Sequence, residues 1–356
     1  MCVDYSQTGS KLKKRDLMSF ILLDSSNFFH NLNVIKNQIK DINKISIVLK
    51  DNAYGHGLLE IANLALNFGI KSAVVKDLKE ANLISNLFKS ILVLADIPSI
   101  KPKDNINITI NSIEDLSKIP QKCNIELKVD SGMHRNGINI SELEFAFKKI
   151  KERSLNLKGV FTHFRSSDEL SSEAFWQRKN FEEIKKNSLN LCKKFNFNRP
   201  KFHFTNSATT FKFNSNYEDL VRVGIASYGY LENDYLFSNV NLKPTLSLWA
   251  EKNSTRVVKK NQRVGYGGLF IANRDMIVSN YDIGYADGFF RLTNQKFKTK
   301  CGNKILGRVS MDNISIEGDK QKVCLFDDAR ELASIFNTIT YDILVKLSNK
   351  IEKRVI

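Results

Sequence analysis

The sequence predicts a (β/α)8 barrel followed by a second, mostly β C-terminal domain. Three observations carry this prediction. From about residue 25 to 230, short β-rich runs alternate with longer amphipathic stretches. The runs are continuously apolar rather than alternating, as expected of parallel strands covered on both faces. After about Asp234 the texture changes to short alternating strands separated by polar turns. At 356 residues the chain exceeds the usual single core, which suits one large domain and one smaller one. The expected boundaries are an N-terminal segment over 1–15 packing on the C-terminal domain, a barrel over 16–234, and a β-rich domain over 235–356.

The barrel strands are expected at 46–49, 73–76, 91–94, 106–110, 125–129, 158–161, 201–204 and 220–224. Between them lie helix-like segments such as Ser26 to Gln38 and Ser172 to Phe195, with apolar residues spaced three and four apart. Eight such units in about 200 residues is the count of a closed barrel, with a doubly wound open sheet as the alternative. In the second domain, strands are expected at Thr245 to Ala250, Thr255 to Val258, Met276 to Tyr281, Ile305 to Val309, Asn313 to Ile316 and Lys322 to Phe326. One amphipathic helix, Ala329 to Ile335, and a Lys-rich tail close the chain.

The five cysteines, Cys2, Cys123, Cys192, Cys301 and Cys324, are odd in number and form no C-x-x-C pair, against a disulfide framework or a zinc site and in favour of the cytoplasm. Lys11 to Arg15 followed by apolar Leu17 to Leu23 imitates a signal peptide, but no small-residue cleavage site follows. No run reaches the length of a membrane span, so no membrane partner is expected. The net charge of +16 raises nucleic-acid binding as a class. The lysines are spread along the whole chain with no sustained basic tract, so a solvated surface is the better reading and no nucleic-acid partner is expected.

Candidate chemical groups fall just after the expected strands, where the loops of such a barrel assemble active sites. Lys50 follows the first strand, in Val48-Leu49-Lys50-Asp51-Asn52-Ala53-Tyr54-Gly55-His56-Gly57. An amine there, partly desolvated, is freed to form a Schiff base; a plain surface lysine at a strand end is the alternative. Lys128 and Arg135 follow the fifth strand, His163 the sixth, Asn206 and Ser207 the seventh, and Arg222 with Gly224 the eighth. Gly224 leaves a backbone that a phosphate can approach closely, and Ser207 reads equally as a phosphate ligand or a helix N-cap. In the second domain Tyr266 and Tyr285 stand between glycines, as exposed phenols or as simple turn residues.

These residues resemble bacterial alanine racemase, a family that joins a barrel binding pyridoxal 5'-phosphate to a β domain. Lys50-x-Asn52-Ala53-Tyr54-Gly55-His56-Gly57 is similar to its cofactor-lysine signature. In family order follow Met133-His134-Arg135-x-Gly137, Thr162-His163-Phe164, Asn206-Ser207, Arg222-Val223-Gly224-Ile225, Gly265-Tyr266-Gly267, Ile283 to Gly288 and Gly307 to Asp312. The resemblance implies a homodimer with shared active sites that interconverts L- and D-alanine, a small-molecule substrate, and supplies D-alanine for peptidoglycan. It implies that Lys50 holds the cofactor and serves as base on one face of the substrate, with Tyr266 of the partner subunit as base on the other. It further implies Arg222 against the pyridine nitrogen with His163 supporting it. Arg135 would lie near the cofactor hydroxyl and the substrate carboxylate. Asn206 belongs with the cofactor site, and Tyr54, Ser207, Gly224 and Ile225 would contact the phosphate. Tyr285 and Met311 would line the substrate pocket, and Lys128 matches a lysine that is carbamylated in some members.

Two departures stand out. Asp51 replaces the usual alanine, adding a charge beside Lys50 that either tunes the amine or faces solvent. Asn349 falls where many members carry a tyrosine that narrows the entrance, and the usual ending is reduced to Lys350-Ile351-Glu352-Lys353. The altered entrance leaves a racemase acting on serine, lysine or arginine as an alternative, and a non-catalytic cofactor-binding barrel as a more distant one.

Overall fold

The computed structural model describes residues 18–213, 218–233, 236–291 and 297–356; the expected N-terminal segment over 1–15 lies outside them. The chain divides into two compact units. One comprises Ser26–Tyr54 and Leu58–Lys243; the other comprises the described residues up to Ser25, Gly55–Gly57 and Pro244–Ile356.

The larger unit is a parallel eight-stranded sheet. After β1 (Phe20–Leu23), which belongs to the other unit, come β2 (Ile45–Val48), β3 (Ser72–Val75), β4 (Ser90–Val93), β5 (Ile106–Ile110), β6 (Asn124–Lys128), β7 (Asn156–Phe161), β8 (Lys201–His203) and β9 (Val221–Val223). Their spatial order is β8-β7-β6-β5-β4-β3-β2-β9, so β9 pairs with the first barrel strand and the sheet curls into a nearly closed barrel. Between β8 and β9 the Asp219 N–H donates to the Phe202 carbonyl at 3.1 Å and the Arg222 N–H to the Thr205 carbonyl at 3.0 Å, which ties the two ends. The strand runs are apolar because they face covering helices outside and packed side chains within; Ile47, Ile91, Ile108, Ile125 and Val223 are fully buried. Two of the covering helices, Ser25–Ile39 and Glu173–Phe195, match the segments expected from apolar spacing.

The smaller unit is a six-stranded sheet in the order β14 (Ile314–Glu317), β13 (Met276–Tyr281), β10 (Leu246–Val258), β1 and β16 (Glu352–Val355), with β15 (Lys322–Phe326) also on β10. Its long strand β10 (Leu246–Val258) joins two runs expected to be separate, because irregularities at Leu248/Trp249 and Lys252/Ser254 let it bend without breaking. β11 (Arg263–Val264) and β12 (Phe270–Ile271) form a small hairpin. β13 (Met276–Tyr281), β14 (Ile314–Glu317) and β15 (Lys322–Phe326) follow. The strand expected over Ile305 to Val309 is absent: Ile305 makes one isolated bridge to Ile316, and Gly307, at φ 74°, turns the chain away. The tail is more ordered than its composition implies. After the helix Ala329–Phe336 comes a second short helix, Thr340–Val345, and β16 (Glu352–Val355) pairs in parallel with β1.

Candidate active site

The barrel delivers Lys50 two residues beyond β2, at the head of an unusual turn. Asp51, Asn52, Ala53 and Tyr54 have φ of 54°, 56°, 52° and 53°, a left-handed turn of four consecutive L-residues. Such a conformation costs about 1–2 kcal/mol per residue and persists only where the surroundings impose it. Here the Ala53 N–H donates to the Leu49 carbonyl at 2.7 Å, and the Asn52 N–H donates to Glu80 Oε1 at 2.8 Å. Asn52 Oδ1 accepts from the Leu58 N–H at 2.8 Å. The Tyr54 ring packs on Tyr228 with centroids 5.2 Å apart, and Lys50 Nζ lies 5.9 Å from the centre of the Tyr54 ring. Asp51 pairs with Lys76 at 3.0 Å.

Lys50 has cationic neighbours. Burial lowers the Lys128 amine to about 8, aided by the charges of Arg135 and Arg222 and, more weakly, Lys50. Burial likewise lowers the His163 imidazole to about 3, with Arg222, Lys128, Arg135 and Lys50 acting in the same direction, so His163 is neutral. Arg135 is exposed on a loop organised by Asp130, whose Oδ1 accepts from the Gly132 and Met133 N–H groups at 2.9 Å each. Lys128 ends β6 and Arg222 is central in β9, so both project from strands rather than from the loops after them.

Arg222 finds its support in a residue the sequence reading passed over. Beside His163, the partner the resemblance implies, Arg222 Nη1 donates to His203 Nδ1, and Nη2 donates to the Thr162 carbonyl at 2.7 Å. The reason is strand order: β8 lies beside the end of the barrel that β9 closes, which puts His203 at the level of Arg222. His203 Nε2 in turn lies 2.7 Å from Glu126 Oε2. The guanidinium also lies over Phe161, 5.0 Å from its ring centre. Burial lowers Arg222 to about 10, opposed by Glu218 and Glu126, and it stays cationic in neutral solution.

A second cluster gathers hydroxyl and amide groups. Asn206 caps the short helix Ser207–Lys212 by accepting from the Thr209 N–H at 3.0 Å, and its Nδ2 reaches Ser167 Oγ at 2.8 Å. The capping role therefore falls to Asn206, leaving the Ser207 hydroxyl to meet the backbone after β9, where it accepts from the N–H groups of Gly224 at 3.0 Å and Ala226 at 3.3 Å. A Cβ on residue 224 would stand 2.7 Å from the Tyr54 hydroxyl, so Gly224 is what allows Tyr54, Ser207 and the Gly224–Ile225 backbone to converge. Burial, with Asp51 adding to it, raises the Tyr54 phenol well above its ordinary range, so it remains a hydrogen-bond donor. An amine, a strand-borne guanidinium and this convergence of hydroxyl and amide groups could together hold an anionic, carbonyl-bearing ligand.

The β unit carries the remaining candidates. Gly265 and Gly267, at φ 73° and 72°, flank Tyr266 and leave it 66% exposed. The next turn packs against the segment 310–311: the Tyr285 N–H donates to the Ser310 carbonyl at 3.1 Å and the Ala286 N–H to the Met311 carbonyl at 3.0 Å. A Cβ on Gly284 would lie 2.0 Å from that Met311 carbonyl, which explains glycine there. Tyr285 and Met311 thus sit on adjoining segments, both exposed. Asn349 follows Ser348, whose N–H donates to the Asp287 carbonyl at 2.9 Å, so the altered position adjoins the Tyr285 turn.

Among the described residues no helix is long and apolar enough to cross a membrane. The family model for the alanine racemase N-terminal domain matches residues 23–232, and that for the alanine racemase C-terminal domain matches 245–355. An alanine racemase of Nitratiruptor sp. is 45% identical over 93% of this chain and 97% of its own length. One of Campylobacter curvus is 46% identical over 95% of this chain and 99% of its own. The solved alanine racemase of Clostridium difficile superposes with a TM-score of 0.86 at 28% identity, covering 96% of each chain. With both domains matched in order and close relatives aligned nearly end to end, the chain belongs to the alanine racemase family and is an isomerase.

Proposed function

We propose that the chain interconverts L- and D-alanine with pyridoxal 5'-phosphate bound through Lys50, in the cytoplasm, as a homodimer that supplies D-alanine for peptidoglycan. The observation that carries this reading is the gathering of Lys50, Arg222 and the Tyr54–Ser207–Gly224 cluster in one unit, beside a family match over residues 23–232 and 245–355. Bound there, the cofactor supplies an electron sink that acidifies the substrate's α C–H.

The residues divide the remaining work. Tyr54, Ser207, Gly224 and Ile225 hold the phosphate, with Asn206 shaping the helix start beneath them. Arg222 faces the ring nitrogen; being cationic, it keeps that nitrogen unprotonated, which tempers the sink and disfavours transamination. His163, neutral beside the same cations, fills the site without adding charge. Arg135 offers a guanidinium to the substrate carboxylate. Lys128 is suited to carbamylation, because a lowered amine reacts with carbon dioxide and the resulting anion would brace Arg135.

Racemisation needs proton removal on one face and delivery on the other. Lys50 Nζ holds the proton on one side, and the phenol of Tyr266 of the partner subunit holds it on the other. The exposure of Tyr266, Tyr285 and Met311 suits residues completed by a second copy, with the last two lining the substrate pocket. The position of Asn349 beside the Tyr285 turn favours one further reading, a pocket wide enough for serine, lysine or arginine.

The test uses purified protein with pyridoxal phosphate and L-alanine in deuterium oxide, following optical rotation and the α-proton signal. Both should decay, and Lys50→Ala should abolish both together with the visible absorbance of the bound cofactor. Tyr266→Phe should retain the absorbance and slow isotope exchange from one enantiomer more than from the other; equal loss from both would remove Tyr266 from its single-face role. Parallel rates with serine, lysine and arginine decide the substrate, and alanine losing clearly to any of them would refute the alanine assignment.

A further inference from the structure

Arg222 has a counter-charge deeper in the barrel that its role at the cofactor does not by itself require. An arginine offers only donors, so the contact between Arg222 Nη1 and His203 Nδ1 demands a lone pair on Nδ1. The His203 proton therefore sits on Nε2, where it is donated to Glu126 Oε2 at 2.7 Å. Glu126 Oε1 accepts from Asn107 Nδ2 at 3.0 Å, and the same Nδ2 reaches Ser90 Oγ at 3.1 Å. Glu126, His203 and Arg222 are only 3%, 0% and 6% exposed. The line from Ser90 to Arg222 thus crosses the barrel interior from β4 to β9.

The site is built for a carboxylate. A Cβ on Gly159, in the neighbouring strand, would stand 2.7 Å from Glu126 Oε2, so β7 omits a side chain where the carboxylate lies. Burial alone would raise the Glu126 carboxyl, but His203, then Asn107, outweigh it and hold it below the ordinary carboxylate range. Burial lowers His203 against the pull of Glu126, so the imidazole is neutral between an anion and a cation. A charge buried this deeply is tolerated only where it is paired and hydrogen-bonded.

We infer that Glu126 is a positioning residue of the racemase: by fixing the His203 tautomer it orients Arg222 and offsets the positive charge that Arg222 presents at the cofactor ring. The inference rests on the reading that Arg222 faces that ring. Replacing the carboxylate by an amide, at the same size, lets the amide N–H donate to Nε2. His203 then carries its proton on Nδ1, opposed to the guanidinium, and Arg222 loses its acceptor. The ring nitrogen meets a less restrained and less compensated cation.

The experiment combines ¹⁵N-histidine NMR with cofactor spectroscopy on the full chain, before and after loading with pyridoxal phosphate; His203→Gln assigns the resonance. In the unsubstituted protein His203 should read as neutral, protonated on Nε2, and unchanged from pH 6 to 9. Glu126→Gln should move it toward the Nδ1-protonated form, shift the pH profile of the bound cofactor's absorbance, and lower kcat roughly tenfold with little change in KM, the equivalent of one pK unit at Arg222. Gly159→Ala, which displaces the carboxylate without removing it, should act in the same direction and serves if Glu126→Gln does not fold. The inference is overturned if His203 titrates in that range or carries its proton on Nδ1 in the unsubstituted protein. It is equally overturned if Glu126→Gln changes only thermal stability. An unsubstituted protein that binds no cofactor, yet shows the Nε2 tautomer, would instead count against the proposed function.

Discussion

At pH 7.5 the uncharged fraction of Lys128 is a quantity that burial raises and an experiment can read. Burial and the charges of Arg135 and Arg222 bring its amine from 10.5 down to about 8. Roughly one amine in four is then unprotonated, against about one in a thousand for an ordinary lysine, a gain of a few hundredfold in the form that attacks carbon dioxide. Conversion to a carbamate also replaces a cation by an anion amid Arg135, Arg222 and Lys50, which favours the product. The assay is ¹³C NMR of protein equilibrated with labelled bicarbonate: one carbamate resonance is expected, absent from Lys128→Met. Stability gives an independent check. The folded chain releases this proton near 8 while the unfolded chain holds it to 10.5, so the unfolded state binds more protons between them and stability rises with pH across that window. The full rise is about 3 kcal/mol, absent below about pH 8. Measured without bicarbonate, the urea midpoint of the native sequence should therefore gain on that of Lys128→Met from pH 8 to 10. A flat difference, or no resonance specific to Lys128, would refute the argument that burial has discharged this amine.

Other expectations concern the supports of the site. Gly224→Ala puts a methyl 2.7 Å from the Tyr54 hydroxyl; it should weaken pyridoxal phosphate binding at least tenfold and cost about 1–3 kcal/mol of stability, read by cofactor titration and urea unfolding. Glu80→Gln leaves one acceptor where the carboxylate now serves the N–H groups of Asn52 at 2.8 Å and Lys76 at 2.9 Å. It should cost about 1–3 kcal/mol and slow the reaction of Lys50 with pyridoxal phosphate, followed by stopped-flow absorbance; an unchanged rate would show that the left-handed turn holds without it.

The barrel was legible because its strands are short, largely buried β-rich runs separated by amphipathic segments; each of the eight falls within two residues of its expected limits. The β unit was legible only in part. β1 has four residues and partners more than two hundred positions away, so Leu17 to Leu23 resembled a leader more than a strand. β16, Glu-Lys-Arg-Val, is an edge whose charges describe solvent and not pairing. Ile305 to Val309 has strand composition, but Gly307 interrupts it. In the site, the strand-borne Lys128 and Arg222 were found together with residues lying after strands, whereas Glu126 and His203, deeper in the same strands, were missed. Glu126 and His203 had a signal that could have revealed them: a carboxylate and an imidazole within barrel strands, Glu126 two residues before Lys128 and therefore on the same side of β6.

The parallel pairing of Phe20–Leu23 with Glu352–Val355 bears on how the polypeptide is made. On the ribosome, residues 26–243 can emerge and close their barrel while the strand that precedes them is still waiting for its neighbours. That early strand must stay unpaired on both edges until β10, and finally β16, have been translated. Nascent chains halted before residue 352 should therefore carry a finished barrel beside an incomplete sheet, sensitive to protease near residues 18–25 and prone to associate through the exposed edge.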